Sequence, residues 1–474
     1  MNNWRFSLLC WLVSVCRLTG SAQELVQELG GGVGLQGVTY FSTDELNDRL
    51  FLVGAFIRSN NEPVSPGILE WRENVLHSVG CGIAWNCVDT GNGAGLQNPA
   101  LTSTLFNGEL FVAGNFSFTR NGSFFGYIMR WGGTDWQPVG LLDGPVKSLK
   151  VINNELIAAG WFTYADSLLV NGLARWDGDR WQEVHPVPPF YNGGGPNAVQ
   201  DVEYYQGEWY IGGNLPLVSD LAKWTGSAWE TVDGGFLGGI SQINKLHVHD
   251  DRLYVAGAFA RCPPTGTSSN PGSGIVAWNG STWDDLGGGT CGSNNNTVNS
   301  ITWWNDELYA AGNFNRMGGV EGSKLAKWDG EQWCMLTPPG FWSNGGPNAL
   351  AVFHDSLYIG GAFLEAGGYA ISCFGKWIGG DQTYGCGALA VDGVHSDQLP
   401  FFVFPNPGTN TVSISGIPIE TKLILFHDAL GREVFRSSPP WSTLVIEQLA
   451  DGPYSISAIG TTGRTIAVTR FVKY

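Results

Sequence analysis

The chain has 474 residues, of which 43% are hydrophobic and 13% aromatic, so it is long enough for two or more packed domains and too apolar to be disordered. A formal net charge of -17, with no basic patch apparent, argues against nucleic acid or an anionic lipid surface as a partner. The 68 glycines and 21 tryptophans, beside only 14% charged residues, favour an all-β fold of short strands and tight turns.

Residues 1–22 have the pattern of a signal peptide. Arg5 supplies a positive charge, residues 6–15 form a short apolar core, and Gly20-Ser21-Ala22 offers the small residues of a cleavage site. We therefore expect cleavage after Ala22 and export of the chain. Cys16 raises the alternative of a lipoprotein. The residue before it is Val15, whereas the lipoprotein pattern has a small residue at that position, so an incidental cysteine is favoured. No later apolar run is long enough for a transmembrane helix.

Residues 23–387 contain a sevenfold repeat of 44 to 60 residues. Each copy has an apolar strand that ends in glycine, a variable loop, and a second strand that ends in tryptophan, as in Leu308–Phe314 followed by Leu325–Trp333. The glycines are Gly54, Gly114, Gly160, Gly213, Gly257, Gly312 and Gly361, and the tryptophans are Trp71, Trp131, Trp176, Trp224, Trp278, Trp328 and Trp377. A second tryptophan follows five residues later in the five middle copies. Repetition at such a period predicts a repeat architecture.

Within one copy, alternating apolar residues and turn signals predict four short antiparallel strands. Asp329-Gly330 predicts a hairpin between the last two strands, with positive φ at both central residues. Seven such copies resemble the seven-bladed β-propellers built from kelch motifs and from the Trp-rich repeats of fungal cell-polarity markers. The resemblance implies an all-β, seven-bladed β-propeller, closed by a segment around residues 24–32 that pairs with the last blade.

Chain direction predicts that all long loops lie on one face of this propeller. The links from the second to the third strand and from one blade to the next return to the same side, whereas the other side receives only short turns. Two of the links between blades carry adjacent aromatic residues, Phe190-Tyr191 and Phe341-Trp342, which could form a stacking platform for a glycan or a peptide. The alternative is that these four side chains cover the edges of blades. It is favoured about two to one, because apolar residues at a surface are weak evidence of a binding site.

Other residues point away from catalysis or cofactors. His247 and His249 have the alternate spacing that could share a metal ion, but aromatic and aliphatic residues fill the position of His249 in other copies, which favours packing. No pair of carboxylates marks an acid and a base for glycoside cleavage. We expect neither a metal nor another cofactor, and no catalytic residue is assigned.

Seven cysteines follow the signal peptide, in an exported setting that permits disulfides. Their places on the repeat predict three pairs, Cys81 with Cys87, Cys262 with Cys291, and Cys373 with Cys386. Cys334 is then left as a buried free thiol.

A different unit follows the repeat, with residues 388–399 as a linker and residues 400–474 as a small Ig-like β-sandwich. Its spaced features are Asn406-Pro407, Asp428 with Gly431-Arg432, Gly452 with Tyr454, and Lys473 near the end. They resemble the C-terminal sorting domain of the type IX secretion system. The resemblance implies that these residues form a sorting motif recognised by the type IX machinery at the outer membrane. The alternative is an ordinary adhesive Ig-like domain.

These features together predict a secreted or outer-membrane surface-attached protein that binds an extracellular glycan or protein through its long-loop face. The rival function is that of an extracellular polysaccharide hydrolase or lyase that uses acidic residues on that face. A structural surface component is a third possibility, because the fold alone does not fix the function.

Overall fold

A computed structural model of the chain describes residues 25–33, 37–56, 65–83, 99–120, 123–188, 198–236, 242–259, 271–291, 293, 297–380, 383–386, 402–404, 410–415, 421–428, 432–439, 441, 443–461 and 465–473. The chain divides into two compact units, Met1–Gly387 and Ala388–Tyr474. The predicted signal peptide (1–22) and linker (388–399) lie outside the described residues. The described residues are all-β, with one short 3-10 turn, and no helix among them could span a bilayer.

Seven antiparallel sheets of four strands follow one another in the first unit. Strand β1 (Val26–Glu28) comes first and joins the last of them. Sheet 1 contains β2 (Val38–Asp44), β3 (Arg49–Gly54), β4 (Ile68–Arg72) and β5 (Val75–Ser78). Sheet 2 contains β6 (Ala100–Phe106), β7 (Glu109–Arg120), β8 (Ser123–Trp131) and β9 (Trp136–Pro138).

Sheets 3 to 5 repeat this order, with additions in the link between the second and third strands. Sheet 3 contains β10 (Val146–Ile152), β11 (Glu155–Gly160), a separate hairpin of β12 (Tyr164–Ala165) and β13 (Leu168–Leu169), then β14 (Leu173–Trp176) and β15 (Trp181–Glu183). Sheet 4 contains β16 (Ala198–Tyr205), β17 (Glu208–Asn214), the 3-10 turn Pro216–Val218, β18 (Leu221–Trp224) and β19 (Trp229–Thr231). Sheet 5 contains β20 (Gln242–His249), β21 (Arg252–Ala258), β22 (Ile275–Trp278) and β23 (Trp283–Asp284).

Sheets 6 and 7 each carry a hairpin like that of sheet 3. Sheet 6 contains β24 (Thr297–Trp304), β25 (Glu307–Asn313), the hairpin β26 (Arg316–Met317) and β27 (Val320–Glu321), β28 (Leu325–Trp328) and β29 (Trp333–Met335). After β30 (Trp342–Ser343), sheet 7 contains β31 (Pro347–Val352), β32 (Leu357–Gly361), the hairpin β33 (Glu365–Ala366) and β34 (Tyr369–Ala370), and β35 (Phe374–Trp377). Strand β36 (Gly385–Cys386) extends sheet 6 beside β29, and the pair Ala258–Thr297 joins sheets 5 and 6.

The seven sheets form a closed cycle. Their first strands contact one another in order, and β31 of sheet 7 contacts β2 of sheet 1. Seven hydrophobic clusters fill the seven interfaces between consecutive sheets, and the cluster of Phe41, Leu52 and Trp71 with Tyr358 and Phe374 joins sheet 1 to sheet 7. Each sheet therefore has both faces covered by its neighbours, which is the reason that its strands read as nearly continuous apolar runs.

The N-terminal segment provides the fourth strand of sheet 7. Val26 pairs with Trp377 and Glu28 with Gly375, and Ile378 donates a backbone hydrogen bond to Leu25. The carboxylate of Glu28 accepts a further bond from the backbone N–H of Ser372 (2.8 Å). This is the pairing that the sequence predicts for the segment, and it joins the two ends of the sevenfold repeat in one sheet.

The repeated glycine follows from a bulge that recurs in every first strand. One residue near the start of each first strand has no partner on the second strand; these seven residues form the bulge ring, Thr39, Leu101, Lys147, Gln200, Asn244, Asn299 and Asn348. Opposite the bulge, a Cβ on Gly312 would lie 2.1 Å from the carbonyl oxygen of Thr297, and the other six glycines are equally crowded. Glycine is required because the two backbones approach too closely for any side chain.

The paired tryptophans bind consecutive sheets together. Trp328 and Trp333 are direct cross-strand partners, and their rings lie 5.5 Å apart between centroids. The indole N–H of Trp333 donates to the carbonyl of Leu286 (2.6 Å) in the preceding sheet, and Trp181 donates likewise to Val139 (2.9 Å). The predicted hairpin is present, but its turn is longer than expected. Gly330 has positive φ, whereas Asp329 instead accepts the backbone N–H groups of Glu331 and Gln332.

The cysteine pairing differs from the prediction. Cys334 and Cys386 form a disulfide between β29 and β36, so the predicted Cys373–Cys386 pair is wrong and Cys334 is not the free thiol. Among the cysteines that the structure describes, the buried free thiol is Cys373. The prediction failed because it placed β36 beside sheet 7, whereas this strand returns to sheet 6. Cys81 and Cys291 are disulfide-bonded, while their predicted partners Cys87 and Cys262 lie outside the described residues.

Cys373 should therefore resist thiol reagents in the native protein. Burial raises the pKa of its thiol to about 11, so almost no thiolate forms at neutral pH. Alkylation of the mature, unreduced protein should label no cysteine at pH 8, and alkylation after denaturation should label Cys373 alone, as peptide mass mapping would show. Label on Cys334 or Cys386, or on three or more cysteines, would contradict this pairing.

The second unit consists of two sheets around one core. Its strands are β37 (Phe402–Phe404), β38 (Thr411–Ser415), β39 (Thr421–His427), β40 (Glu433–Ser437), β41 (Leu444–Val445), β42 (Gly452–Gly460) and β43 (Thr465–Lys473). Strands β37, β38 and β41 form one sheet, and β40, β39, β42 and β43 form the other. Val412 and Leu444 of the first sheet share a hydrophobic core with Phe426, Ile456 and Phe471 of the second.

Candidate functional site

The four aromatic residues predicted to contact a ligand are not all available for it. Phe190 and Tyr191 lie outside the described residues. Phe341 and Trp342 are only 6% and 5% exposed, because they pack against Phe363 between sheets 6 and 7. The indole N–H of Trp342 also donates to the carbonyl of Ser323 (3.1 Å). These two side chains thus belong to the core and do not form an open platform, which is the alternative favoured in the sequence analysis.

A different group of apolar side chains is exposed on the long-loop face of sheet 3. We call it the hairpin patch, and it consists of Leu141, Trp161, Tyr164 and Leu169, which are 39 to 56% exposed. Tyr164 and Leu169 are direct cross-strand partners, so their side chains lie on the same face of the β12–β13 hairpin. Leu141 lies on that face too, because Leu142 bridges the buried Ala165 and directs its neighbours outward.

Two aspartates hold the backbone beneath the hairpin patch. Asp143 accepts the backbone N–H groups of Thr163 (2.7 Å) and Tyr164 (2.9 Å). Asp166 accepts the backbone N–H groups of Leu141 (2.7 Å) and Trp181 (2.8 Å), the latter on β15. The link between sheets 2 and 3 and the hairpin are thus fixed to each other and to sheet 3. The hairpin patch stands on a rigid frame.

Lys147 connects the hairpin patch to the bulge ring. Its Nζ lies 4.1 Å from the centroid of the Trp161 ring, a cation–π contact. Lys147 occupies the bulge position of β10 and is the one charged member of the bulge ring. Three asparagines of the ring are hydrogen-bonded in series, from Asn244 to Asn299 (3.1 Å) and from Asn299 to Asn348 (3.0 Å). Burial lowers the pKa of Lys147.

Sequence reasoning missed the hairpin patch, although a signal for it exists. Trp161 follows the repeated glycine of the third copy, where the other copies have Ala55, Asn115, Asn214, Ala258, Asn313 and Ala362. A large aromatic residue at a position otherwise occupied by small or polar residues is a departure from the repeat. The prediction instead concentrated on adjacent aromatics in the links between copies, two of which the fold uses for packing.

A cavity of about 560 Å³ lies among the first strands of all seven sheets. Each sheet contributes to its wall, for example through Tyr40, Ser103, Lys150, Glu203, Lys245, Ser300 and Leu350. Most of the wall is made of hydroxyl groups and aliphatic side chains, whereas the charged side chains come from sheets 3, 4 and 5. The cavity is thus polar on one side.

The charged side of the cavity is centred on Asp201, which is buried. Its carboxylate accepts hydrogen bonds from the hydroxyl of Ser148 (2.5 Å) and the backbone N–H of Leu246 (2.9 Å), and lies 3.2 Å from the Nζ of Lys150. Burial alone would raise the pKa of Asp201, but Lys150 and Lys245 lower it below its ordinary value. Asp201 is therefore ionised and cannot serve as the protonated general acid of glycoside cleavage.

The two histidines of β20 are packed as the sequence analysis favours. The rings of His247 and His249 stack on Trp303 at centroid distances of 4.8 and 4.3 Å. Burial, together with Lys150 and Lys245, lowers the pKa of His247 to about 3, so this side chain is neutral. Within the described ranges, no group of three or more His, Cys, Asp or Glu side chains is arranged to hold a metal ion.

The predicted sorting residues of the second unit partly converge. Asp428 and Arg432 form an ion pair (2.6 Å), and the backbone N–H of Arg432 donates to the same carboxylate (3.0 Å). Both line a cavity of about 420 Å³ with Gly452 and Tyr454. Asn406, Pro407 and Gly431 lie outside the described residues.

Tyr454 and Lys473 fix the segment that forms the other wall of this second cavity. The hydroxyl of Tyr454 donates to the carbonyl of Ala450 (2.6 Å), and the buried Nζ of Lys473 donates to that of Leu449 (2.6 Å). Spaced residues of the predicted motif thus hold one surface of the unit together, and Arg432 is its exposed member.

The sequence matches no family model and no curated protein. Solved structures that are similar include the extracellular domain of a hybrid two-component system of B. thetaiotaomicron, at 10% identity and a TM-score of 0.43 over 95% of this chain and 58% of that one. The chain thus spans little more than half the length of that structure. The GH74 enzyme of Niastella koreensis matches at 12% identity and a TM-score of 0.42, over 94% of this chain and 74% of that one. PorZ, a surface component of the type IX secretion system of Porphyromonas gingivalis, matches at 11% identity and a TM-score of 0.27, over 92% and 81%. Similarity at these values carries no functional argument.

Proposed function

We propose that this protein is a secreted or cell-surface seven-bladed β-propeller, exported by a type IX-like system, that binds an extracellular macromolecule through its long-loop face. The closed cycle of seven sheets and the cavity shared by their seven first strands support the propeller. In this interpretation each sheet is a blade and the bulge ring surrounds the mouth of the central channel.

The observation that carries the binding function is the hairpin patch. Exposed apolar side chains that stand singly need no explanation, but four that are grouped on one rigid frame indicate a binding surface. The frame removes most of the entropy cost of ordering loops on binding. Phe190 and Tyr191, in the link after the same sheet, remain predicted contacts of this face.

The binding function can be tested with a substitution that the protein itself suggests. Tyr164→Arg combined with Leu169→Glu gives the sheet 3 hairpin the ion pair that Arg316 and Glu321 form at the same register in sheet 6 (2.6 Å). The fold should therefore be retained, as circular dichroism would show. On a glycan array and in a peptide-display screen run in parallel, the ligands of the wild-type protein should be lost by this variant and kept by Arg316→Ala with Glu321→Ala. Ligands that both variants retain would place binding elsewhere.

The export function rests on the second unit. We propose that it is an Ig-like sorting domain whose motif residues Asp428, Arg432, Gly452, Tyr454 and Lys473 present one recognition surface. Fusion of residues 390–474 to a reporter should direct the reporter to the cell surface or medium in a host with a type IX system.

The ion pairs of the second unit supply a matched control for export. Arg432→Ala in the fusion should reduce export at least about tenfold, because an exposed arginine that anchors a recognition surface is a typical hot spot. Arg436→Ala removes a comparable exposed ion pair, with Glu433 (2.5 Å), and should leave export unchanged. A wild-type fusion that remains periplasmic would refute the sorting function without affecting the binding function.

A further inference from the structure

We infer that the hairpin patch is a docking site for a protein segment in which apolar side chains stand next to a carboxylate, with the carboxylate placed against Lys147. This inference rests on the proposed function, since it names the partner of the long-loop face. It commits to a protein segment rather than a glycan.

The hairpins of sheets 6 and 7 provide an internal reference for the patch. The three hairpins occupy the same link and share a buried residue at the same register, Ala165, Met317 and Ala366. At the cross-strand position above it, sheet 6 has the pair Arg316–Glu321 and sheet 7 has Glu365–Ala370, whereas sheet 3 has Tyr164–Leu169. The fold thus does not require apolar residues there. Their presence in sheet 3 points to a partner.

The chemistry of the hairpin patch favours a protein segment. Two of its four residues are leucines, which gain most from contact with other aliphatic or aromatic side chains. A sugar ring instead needs an open aromatic face, and one face of Trp161 is already covered by the Nζ of Lys147. The composition of the hairpin patch is that of the core of a protein–protein interface.

Charge defines the second feature of the partner. Among the described residues Lys147 has no ion-pair partner, and its Nζ lies over the Trp161 ring. The neighbouring carboxylates of Asp143 and Asp166 are occupied by backbone N–H groups. A half-buried ammonium that has no counter-ion in the described part of a chain of net charge -17 is complementary to a carboxylate supplied by a partner.

The test uses the full mature chain and a display library of random linear peptides. Enriched peptides should carry at least two apolar residues next to Asp or Glu. A synthetic peptide from the enriched set should bind about tenfold more weakly to Trp161→Ala and should not bind detectably to Tyr164→Arg with Leu169→Glu. Replacing its acidic residue by the amide should weaken binding to the wild-type protein about fivefold, and should have little effect on binding to Lys147→Met. Arg316→Ala with Glu321→Ala serves as the unaffected control.

Each alternative outcome is distinguishable. Peptides enriched without an acidic residue, or an amide effect that persists in Lys147→Met, would overturn the role of Lys147. Glycan ligands that depend on Tyr164 and Leu169, without any peptide ligand, would overturn the inference and leave the proposed function intact. Self-association of the wild-type protein in sedimentation, abolished by the hairpin substitution, would overturn it in favour of a second copy as the occupant. If the wild-type protein has no glycan ligand and no peptide ligand, both this inference and the proposed binding function are refuted.

Discussion

Deletion of residues 24–30 should lower the melting temperature of the sevenfold unit by roughly 10 °C. The deletion removes the buried Val26, whose burial contributes about 2 kcal/mol, and backbone hydrogen bonds to β35 worth about 1 kcal/mol each. It also uncovers Trp377, so that sheet 7 loses its outer edge and the cycle of sheets loses the segment that joins its ends. Thermal unfolding monitored by circular dichroism measures the shift.

A matched pair of substitutions separates closure from the mere loss of sequence. Val26→Asp places a charge in the interface between β1 and the cluster of sheets 6 and 7 and should reproduce most of the destabilisation. Gln27→Asp introduces the same side chain one residue later, on the exposed side of the strand, and should have little effect. Equal melting temperatures for the deleted and intact chains would show that β1 does not close the unit.

Asp201→Asn should destabilise the same unit by about 3 kcal/mol, because it leaves two lysines in a partly buried site with only Glu203 as a strong counter-charge. The amide also keeps only one acceptor oxygen, so its NH2 group would face a backbone N–H that now donates to the carboxylate, either that of Leu246 or that of Val202. Since Asp201 connects sheets 3, 4 and 5, the loss should appear as a lower urea midpoint of the whole transition. Asp179→Asn, at an exposed turn, is the control and should have no measurable effect.

The pH dependence of this variant gives an independent check. The pKa of Asp201 is lower in the folded protein than its ordinary value of about 3.9, so the carboxylate contributes stability above that pH and loses it as the pH falls through the lower folded value. The difference in free energy of unfolding between the wild type and Asp201→Asn should therefore be constant from about pH 5 to 8 and shrink below about pH 4. A difference that stays constant to pH 3 would show that the charge of Asp201 contributes nothing.

The sequence predicted the repetition of the fold better than its connections. Recurrent glycine and tryptophan predicted the seven sheets, because every copy has the same packing requirement and an ambiguous copy can be interpreted from the others. The unpaired segment before Val38 predicted β1. The disulfide was not predictable in this way. Cys386 lies beyond the last copy, where no repeat constrains the path, and β36 returns to sheet 6 instead of sheet 7.

The candidate site was harder to predict, for a related physical reason. Adjacent aromatic residues such as Phe341 and Trp342 give the same sequence pattern whether they are exposed or packed between sheets. Here both are packed between sheets 6 and 7. Trp161 and Tyr164 are separated from Leu141 by the first two strands of sheet 3, so their proximity depends on hydrogen bonds to Asp143 and Asp166 that no local pattern indicates. Departure from the repeat, rather than aromatic content, was the usable signal.

The bulge ring has a consequence for how this protein could change its specificity over evolutionary time. The backbone at each of its seven positions is set by the glycine opposite the bulge, so the identity of the bulged residue itself is free of that requirement. Threonine, leucine, lysine, glutamine and asparagine already occupy equivalent places in one chain. Where the side chain makes no hydrogen bond within the ring, as at Leu101, a single substitution can therefore alter the chemistry of the bulge ring without disturbing the backbone, and a lineage could acquire a new partner without rebuilding its scaffold.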